Sequence, residues 1–327
     1  MMNQEVPKNS FSGIFMLTLC AFIWGTAFIA QSVGGQVVEP LTFNFCRSFL
    51  ATIFLFICCL MFDKAAGRKL SLLGTDDSAH KLRLIKGGLI CGAALSLATF
   101  TQQVGILYTT VGKSGFITAL YLVLVPVLNY LVFRKAISAL QWLGVLIAAI
   151  GMYFICINES FSINKGDIYT LISAFCFAGQ IIYVDKLIAN TDGIRLSLTQ
   201  LIGTTAINFT MMLLFENPTW ASIEQGWMPI AYAGIMSSGI AYTLQIFGQK
   251  NCTPVLASMI MSLESAFALL SGWLLLGQEM TMREIFGCGL VFIAIILAQL
   301  PAEMLPWNRN KMKKVHCKMK LHTLKTE

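Results

Sequence analysis

Continuously apolar runs recur along this chain, separated by short polar connections and showing no alternation of period two. A run of roughly 20 apolar residues is long enough to cross about 30 Å of hydrocarbon as a helix. Missing period-two patterning argues against a barrel of strands. Ten spans are predicted, at residues 11–32, 41–62, 87–107, 114–133, 140–157, 167–187, 196–215, 227–249, 255–276 and 284–300. They fall as five, a short hinge at 158–165, then five. The first run lacks an A-x-A-like cleavage site and is read as a retained span, not a signal peptide.

One stretch of the pattern is written twice. Residues 98–144 slid forward by 143 positions lie without a gap on residues 241–287. Ala98 then meets Ala241, Gln102 meets Gln245, Gly105 meets Gly248, Thr110 meets Thr253, Ile117 meets Ile260, Leu120 meets Leu263, Leu131 meets Leu274 and Gly144 meets Gly287. The apolar runs stay in step throughout, and a glutamine recurs at the same place on an apolar stretch. A tandem duplication explains both. The expected architecture is an all-α integral membrane protein of ten transmembrane helices in two five-helix repeats. Its segments are a cytoplasmic stub at 1–10, a first repeat at 11–157, a linker at 158–165, a second repeat at 166–300 and a basic cytoplasmic tail at 301–327. Because each unit crosses an odd number of times, the second must enter the membrane upside down. Inverted repeats of this kind recur in secondary transporters, with the substrate site near the midplane between the halves.

Composition agrees with the pattern. Of 327 residues, 56% are hydrophobic and 12% charged, against roughly 25% charged in soluble domains. Almost the whole fold must therefore lie in the bilayer, where backbone polar groups have to be satisfied internally. Lysine and arginine set the orientation. Nineteen fall in the stub, the even-numbered loops and the tail, against Lys113, Lys165 and Arg283 on the other side and Arg47 inside a span. Both termini are expected in the cytoplasm, and the protein in the cytoplasmic membrane. The tail beyond Trp307 carries seven of those cations. Attraction to anionic membrane lipid accounts for it, and no nucleic-acid partner is expected.

The ten cysteines include no C-x-x-C, and His80, His316 and His322 lie outside the spans. The thiols are read as reduced packing residues, with no metal or other cofactor. No G-x-x-x-x-G-K-[ST] is present, so ATP hydrolysis is not expected of this chain.

Several short motifs carry a family resemblance. Trp24-Gly25-Thr26-Ala27-Phe28 resembles a W-G-x-x-F of the first helix, and Phe45-Cys46-Arg47-Ser48-Phe49-Leu50-Ala51 an F-x-R-x-x-x-A of the second. Gly115 to Tyr121, followed by Val125-Pro126, resembles a fourth helix, and Leu276 to Thr281 the loop into a tenth. In this order, over about residues 11–300, they resemble the EamA-type transporters of the drug/metabolite transporter superfamily. Two positions depart from that pattern. Gln278 stands where a glutamate is usual, and Ser265 follows Glu264 where a proline is common, which removes the usual cause of a kink. The resemblance implies gradient-driven movement of small metabolites or amino acids, often export, with a proton as a possible coupling ion.

Ionisable groups inside a span cost about 3 kcal/mol on insertion scales and mark function by default. Two stand out, Arg47 and Glu264. Glu264 falls near the middle of its span, and its counterpart in the duplicated register is Tyr121. It is a candidate proton site or amine-binding group; the competing reading is a hydrogen-bonded link to a neighbouring helix. Arg47 either snorkels or pairs structurally, or presents its planar fork to a substrate carboxylate. Gln102 and Gln245 either line the transport path or bond across helices, worth about 0.6 kcal/mol. Trp24 and Tyr242 complete the candidate substrate and ion site; Gln103, Asn129, Gln180 and Asn208 are weaker candidates.

The functional expectation is a secondary active transporter of small metabolites, amino acids first, exporting by alternating access. Alternatives are a multidrug or cation exporter, a facilitative channel and, more remotely, a membrane-embedded enzyme. The exporter would call for an acidic residue in the first span, which has none, and the enzyme for a nucleophile–base pair that the spans lack. A monomer and a homodimer both remain open.

Overall fold

The computed structural model describes residues 10–67, 71, 73, 74, 77–109, 111–134, 137–156, 164–189, 191–276 and 281–299. Most of the stub at 1–10 and of the linker at 158–165, the Gln278–Glu279 stretch and the basic tail at 301–327 lie outside them.

The described chain is all helix, with no strand among those residues. In order it runs α1 (Phe11–Gly35), α2 (Pro40–Ala65), α3 (Ser78–Tyr108), α4 (Val111–Ala119), α5 (Tyr121–Phe133), α6 (Ala139–Cys156), α7 (Lys165–Ile188) and α8 (Gly193–Phe215). Short α9 (Trp220–Gln225) and α10 (Trp227–Ala231) lead into a π-helix (Tyr232–Ala241), then α11 (Tyr242–Lys250), α12 (Pro254–Met261), α13 (Glu264–Leu276) and α14 (Met282–Gln299). Among the described residues, eight segments are long and apolar enough to cross a membrane. Two more, α6 and α14, are 18 residues each and pack on one another.

Three features depart from the hydropathy reading. Helix α3 starts at Ser78, before the apolar run, because the Asp77 carboxylate accepts from Ala79 N at 3.1 Å and His80 N at 3.2 Å and so caps a polar first turn. The fourth and ninth spans are each interrupted, at Leu120 and at Ser262–Leu263. No proline is needed for the second break. The backbone tightens into three-residue bonds, Leu263 N to Ile260 O at 3.1 Å and Ser265 N to Ser262 O at 3.2 Å, while the Ser262 hydroxyl donates to Met259 O at 2.7 Å. The eighth span opens into a π-helix, where the Trp24 indole N–H reaches Ser237 O at 3.3 Å. Wide turns of this sort concentrate at functional sites.

Neighbour relations reveal how the halves are arranged. Exchange α1 for α7, α2 for α8, α3 for the α10–π–α11 segment, α4 for α12, α5 for α13 and α6 for α14, and the principal packing partners are recovered. Helix α3 packs on α7 as the π–α11 segment packs on α1; α2 packs on the π-helix as α8 packs on α3. An offset of 153 residues carries Thr42 to Arg195, Thr52 to Thr205 and Asp63 to Glu216. The Thr52 and Thr205 hydroxyls, a residue and its own counterpart, bond at 3.0 Å. Glu216 at the end of α8 accepts from Leu41 N and Thr42 N at the start of α2, both at 2.7 Å. Asp63 at the end of α2 meets Arg195 at the start of α8, at 2.6 Å. The copy thus lies antiparallel to its original about an axis between the two threonines. That is the inversion an odd number of crossings demands.

Glycine makes the crossings between halves close. A Cβ on Gly105 would collide with the Thr170 hydroxyl, and one on Gly166 would come within 2.6 Å of Gly105 O. The counterpart crossing repeats this: a Cβ on Gly248 would lie 2.6 Å from Leu17 Cγ and 3.2 Å from Gly13 O.

Candidate functional site

A cavity of about 410 Å³, part of that volume open to solvent, lies between the two halves. Its wall takes Trp24, Phe28 and Gln31 from α1, Arg47 from α2, Gln102 from α3, and Thr118 and Tyr121 from α4 and α5. The other half supplies Phe177 and Ile181 from α7, Ser237 from the π-helix, Tyr242 and Gln245 from α11, and Glu264 from α13. All seven residues singled out in the sequence face this one space.

Local structure explains why each group points inward. Tyr121 and Glu264 are the first residues of α5 and α13, directly after the two breaks. Each therefore sits at the start of the second half of an interrupted helix buried in the bundle. The Tyr121 hydroxyl and the Glu264 carboxyl lie beside one another, close enough to interact.

Arg47 does not snorkel. Only 3% exposed, it donates from Nε to the Ser238 hydroxyl and from Nη1 to Gln31 Oε1, each at 3.1 Å. Both acceptors are neutral, so the charge is held without a carboxylate partner among the described residues. Gly234 allows this arrangement: a Cβ there would lie 3.0 Å from Arg47 O, so the π-helix approaches α2 backbone to backbone. Tyr242 neighbours the guanidinium and packs edge-on against Trp24 with ring centroids 5.0 Å apart. A cation fork, a carboxyl and an aromatic pair thereby converge on one space.

The two duplicated glutamines behave differently. Gln102 donates to the Thr118 hydroxyl at 3.2 Å. Gln245 donates to Gln180 Oε1, and Gln180 in turn to Gln200 Oε1, both at 3.0 Å, a three-amide chain running from cavity to α8. Gln245 Oε1 is left without a protein partner.

Several weaker candidates turn out to be packing groups. Gln103 donates to Gln31 O at 2.9 Å, and Asn208 joins α8 to α3 and α2 through Ser96 at 2.6 Å and Asn44 O at 3.4 Å. Asn129 is buried, and neither it nor Gln180 is on the cavity wall. Sequence reasoning overlooked Phe28, Gln31, Thr118, Phe177, Ile181 and Ser237. For two of them a signal existed: the 153-residue offset carries Trp24 to Phe177 and Phe28 to Ile181.

Comparison with known proteins fits this geometry. The sequence profile of the EamA-like transporter family matches twice, at residues 11–157 and 164–300. An uncharacterized transporter of Archaeoglobus fulgidus is 28% identical over 87% of this chain and 84% of its own length. The uncharacterized transporter YoaV of Bacillus subtilis is 22% identical over 87% of this chain and 94% of its own. The uncharacterized inner membrane transporter YedA of Escherichia coli is 23% identical over 90% of this chain and 92% of its own. A crystal structure at 16% identity superposes with a TM-score of 0.73 over 90% of this chain and 99% of that one, a likeness of fold alone. With its apolar bundle, its two halves and a family match reaching through both, this multi-span membrane protein belongs to the EamA-like transporter family.

Proposed function

We propose that the protein is a secondary carrier of small zwitterionic metabolites, amino acids first, which it exports by alternating access between its two halves. The observation that carries this reading is the presence, on the wall of one cavity between the halves, of Arg47, Glu264, the Tyr121 hydroxyl beside that carboxyl and the Gln245 amide. A guanidinium takes a carboxylate as a fork. Carboxyl, phenol and amide oxygens together take an ammonium. The edge-on Trp24–Tyr242 pair supplies an apolar wall for a side chain.

Glu264 is the residue through which a proton would couple, because it is the acidic group on the cavity wall. Export is favoured by family analogy. The conformations exchanged belong to the first repeat at 11–157 and the second at 166–300, set in the cytoplasmic membrane with both termini in the cytoplasm and surrounded by lipid. A carrier selective for cations is less favoured, since Arg47 places a positive charge on the same wall.

The reading is tested by comparing extracellular metabolites of cells expressing the wild type, Arg47→Met or no protein. Accumulation of one or more amino acids with wild type only is the expected result. Identical profiles in all three contradict it.

A further inference from the structure

Helices α2 and α8 are fastened to one another at three levels. At the middle stands the Thr52–Thr205 bond of 3.0 Å, on the axis that exchanges the halves. Toward one end, Asp63 and Arg195 pair at 2.6 Å with side chains only 2% and 5% exposed. Arg195 also holds Asp192 at 2.9 Å, and Asp63 accepts from Ser71 N at 3.2 Å. Toward the other end, Glu216 closes over the first turn of α2, taking Leu41 N and Thr42 N at 2.7 Å and the Thr42 hydroxyl at 2.8 Å. Between the middle and that end, the Phe45 and Phe209 rings pack at 5.1 Å.

We propose that α2 and α8 form a fixed strut that does not part during the transport cycle, so that access to the cavity changes by movement of the other helices around it. The inference rests on the carrier reading given above. In an inverted-repeat carrier the inward-open and outward-open states are related by exchanging the conformations of the halves. That exchange carries the Asp63–Arg195 fastening onto the Glu216–Thr42 fastening. Were these the gates, one would be open whenever the other was closed. Here both are closed together.

Their chemistry also opposes parting. Opening one end would break the Asp63–Arg195 ion pair; opening the other would strip the N–H groups of the α2 start of their acceptor. The breaks at Leu120 and at Ser262–Leu263 lie instead on the helices facing the cavity, beside Tyr121 and Glu264. A consequence follows for binding. Arg47 rides on α2, so the anion-binding charge stays at one depth while α13 brings Glu264 to and from it.

The test uses full-length protein in oriented vesicles, in a background without native cysteines, and needs no knowledge of the cargo. A reporter, T118C, on the cavity wall is labelled by a membrane-impermeant methanethiosulfonate from either face. A second cysteine pair, T52C/T205C at the middle or T42C/E216C at the end, is oxidised to a disulfide beforehand. The expected result is labelling from both faces at an unchanged rate with either disulfide in place. Loss of labelling from one face with the T42C/E216C disulfide, restored by reduction, overturns the strut and makes that end a gate. A reduced protein labelled from one face only, or from neither, defeats alternating access itself and takes the strut with it. That failure is distinguishable because it appears before any crosslink is made.

Discussion

Two residues bear most of the functional argument, and they are held differently. Arg47 is oriented by Gln31 and Ser238, whereas the Glu264 carboxyl lies beside the Tyr121 hydroxyl on the cavity wall. Replacing Glu264 with glutamine preserves shape and removes the exchangeable proton. Flux in liposomes driven by a pH gradient should be lost while the protein elutes and melts as wild type; unchanged flux at every pH would remove the carboxyl from the mechanism. Both residues were visible in the sequence, since a charge inside an apolar run is costly and conspicuous. Gln31 and Ser237 were not visible, and Phe177 only through an offset between the halves that the gapless shift does not reveal. A glutamine or phenylalanine in a span has many structural uses, and Ser237 reaches the wall because the eighth span opens into a π-helix against Trp24, a tertiary event without a local signal.

Among the elements, α2 and α8 offer the sharpest stability test. Arg195→Met should strand the buried Asp63 carboxylate and cost about 3–5 kcal/mol, read as a lower midpoint of thermal unfolding in detergent. Adding Asp63→Leu should recover much of it, because an apolar pair is tolerated where a lone charge is not. At the crossing of α3 and α7, Gly105→Leu should destabilise by about 1–3 kcal/mol through overpacking, whereas a leucine at Gly179, where a Cβ meets nothing, should leave the midpoint unchanged. Only part of the repeat was legible in the sequence, and the reason is geometric. The connection from α2 to α3 is ten residues longer than the one that follows α8, so the offset between halves is 153 before it and 143 after it. A single gapless shift therefore finds Gln102 and Gln245 but misses Thr52 with Thr205, which only their hydrogen bond discloses. The broken ninth span was likewise unreadable, because its cause is a serine back-bond and not the proline that usually marks a kink.

For the molecule as a whole, the inversion of the halves was the strongest expectation from counting spans, and the antiparallel α2–α8 pair bears it out. Orientation in the membrane is a separate prediction from charge. A reporter active only in the cytoplasm should give signal when fused after Thr326 and none when placed within residues 109–113; the reverse pattern would turn the protein over. The central claim is that opposite charges in one cavity between inverted halves serve to carry a zwitterion across the membrane. Its most direct test is efflux of a labelled amino-acid mixture from proteoliposomes under an imposed pH gradient, with wild type, Arg47→Met and Glu264→Gln side by side. Efflux above protein-free liposomes with wild type, lost in both variants, is the predicted result; efflux equal in all three proteins, or absent from wild type, would contradict it.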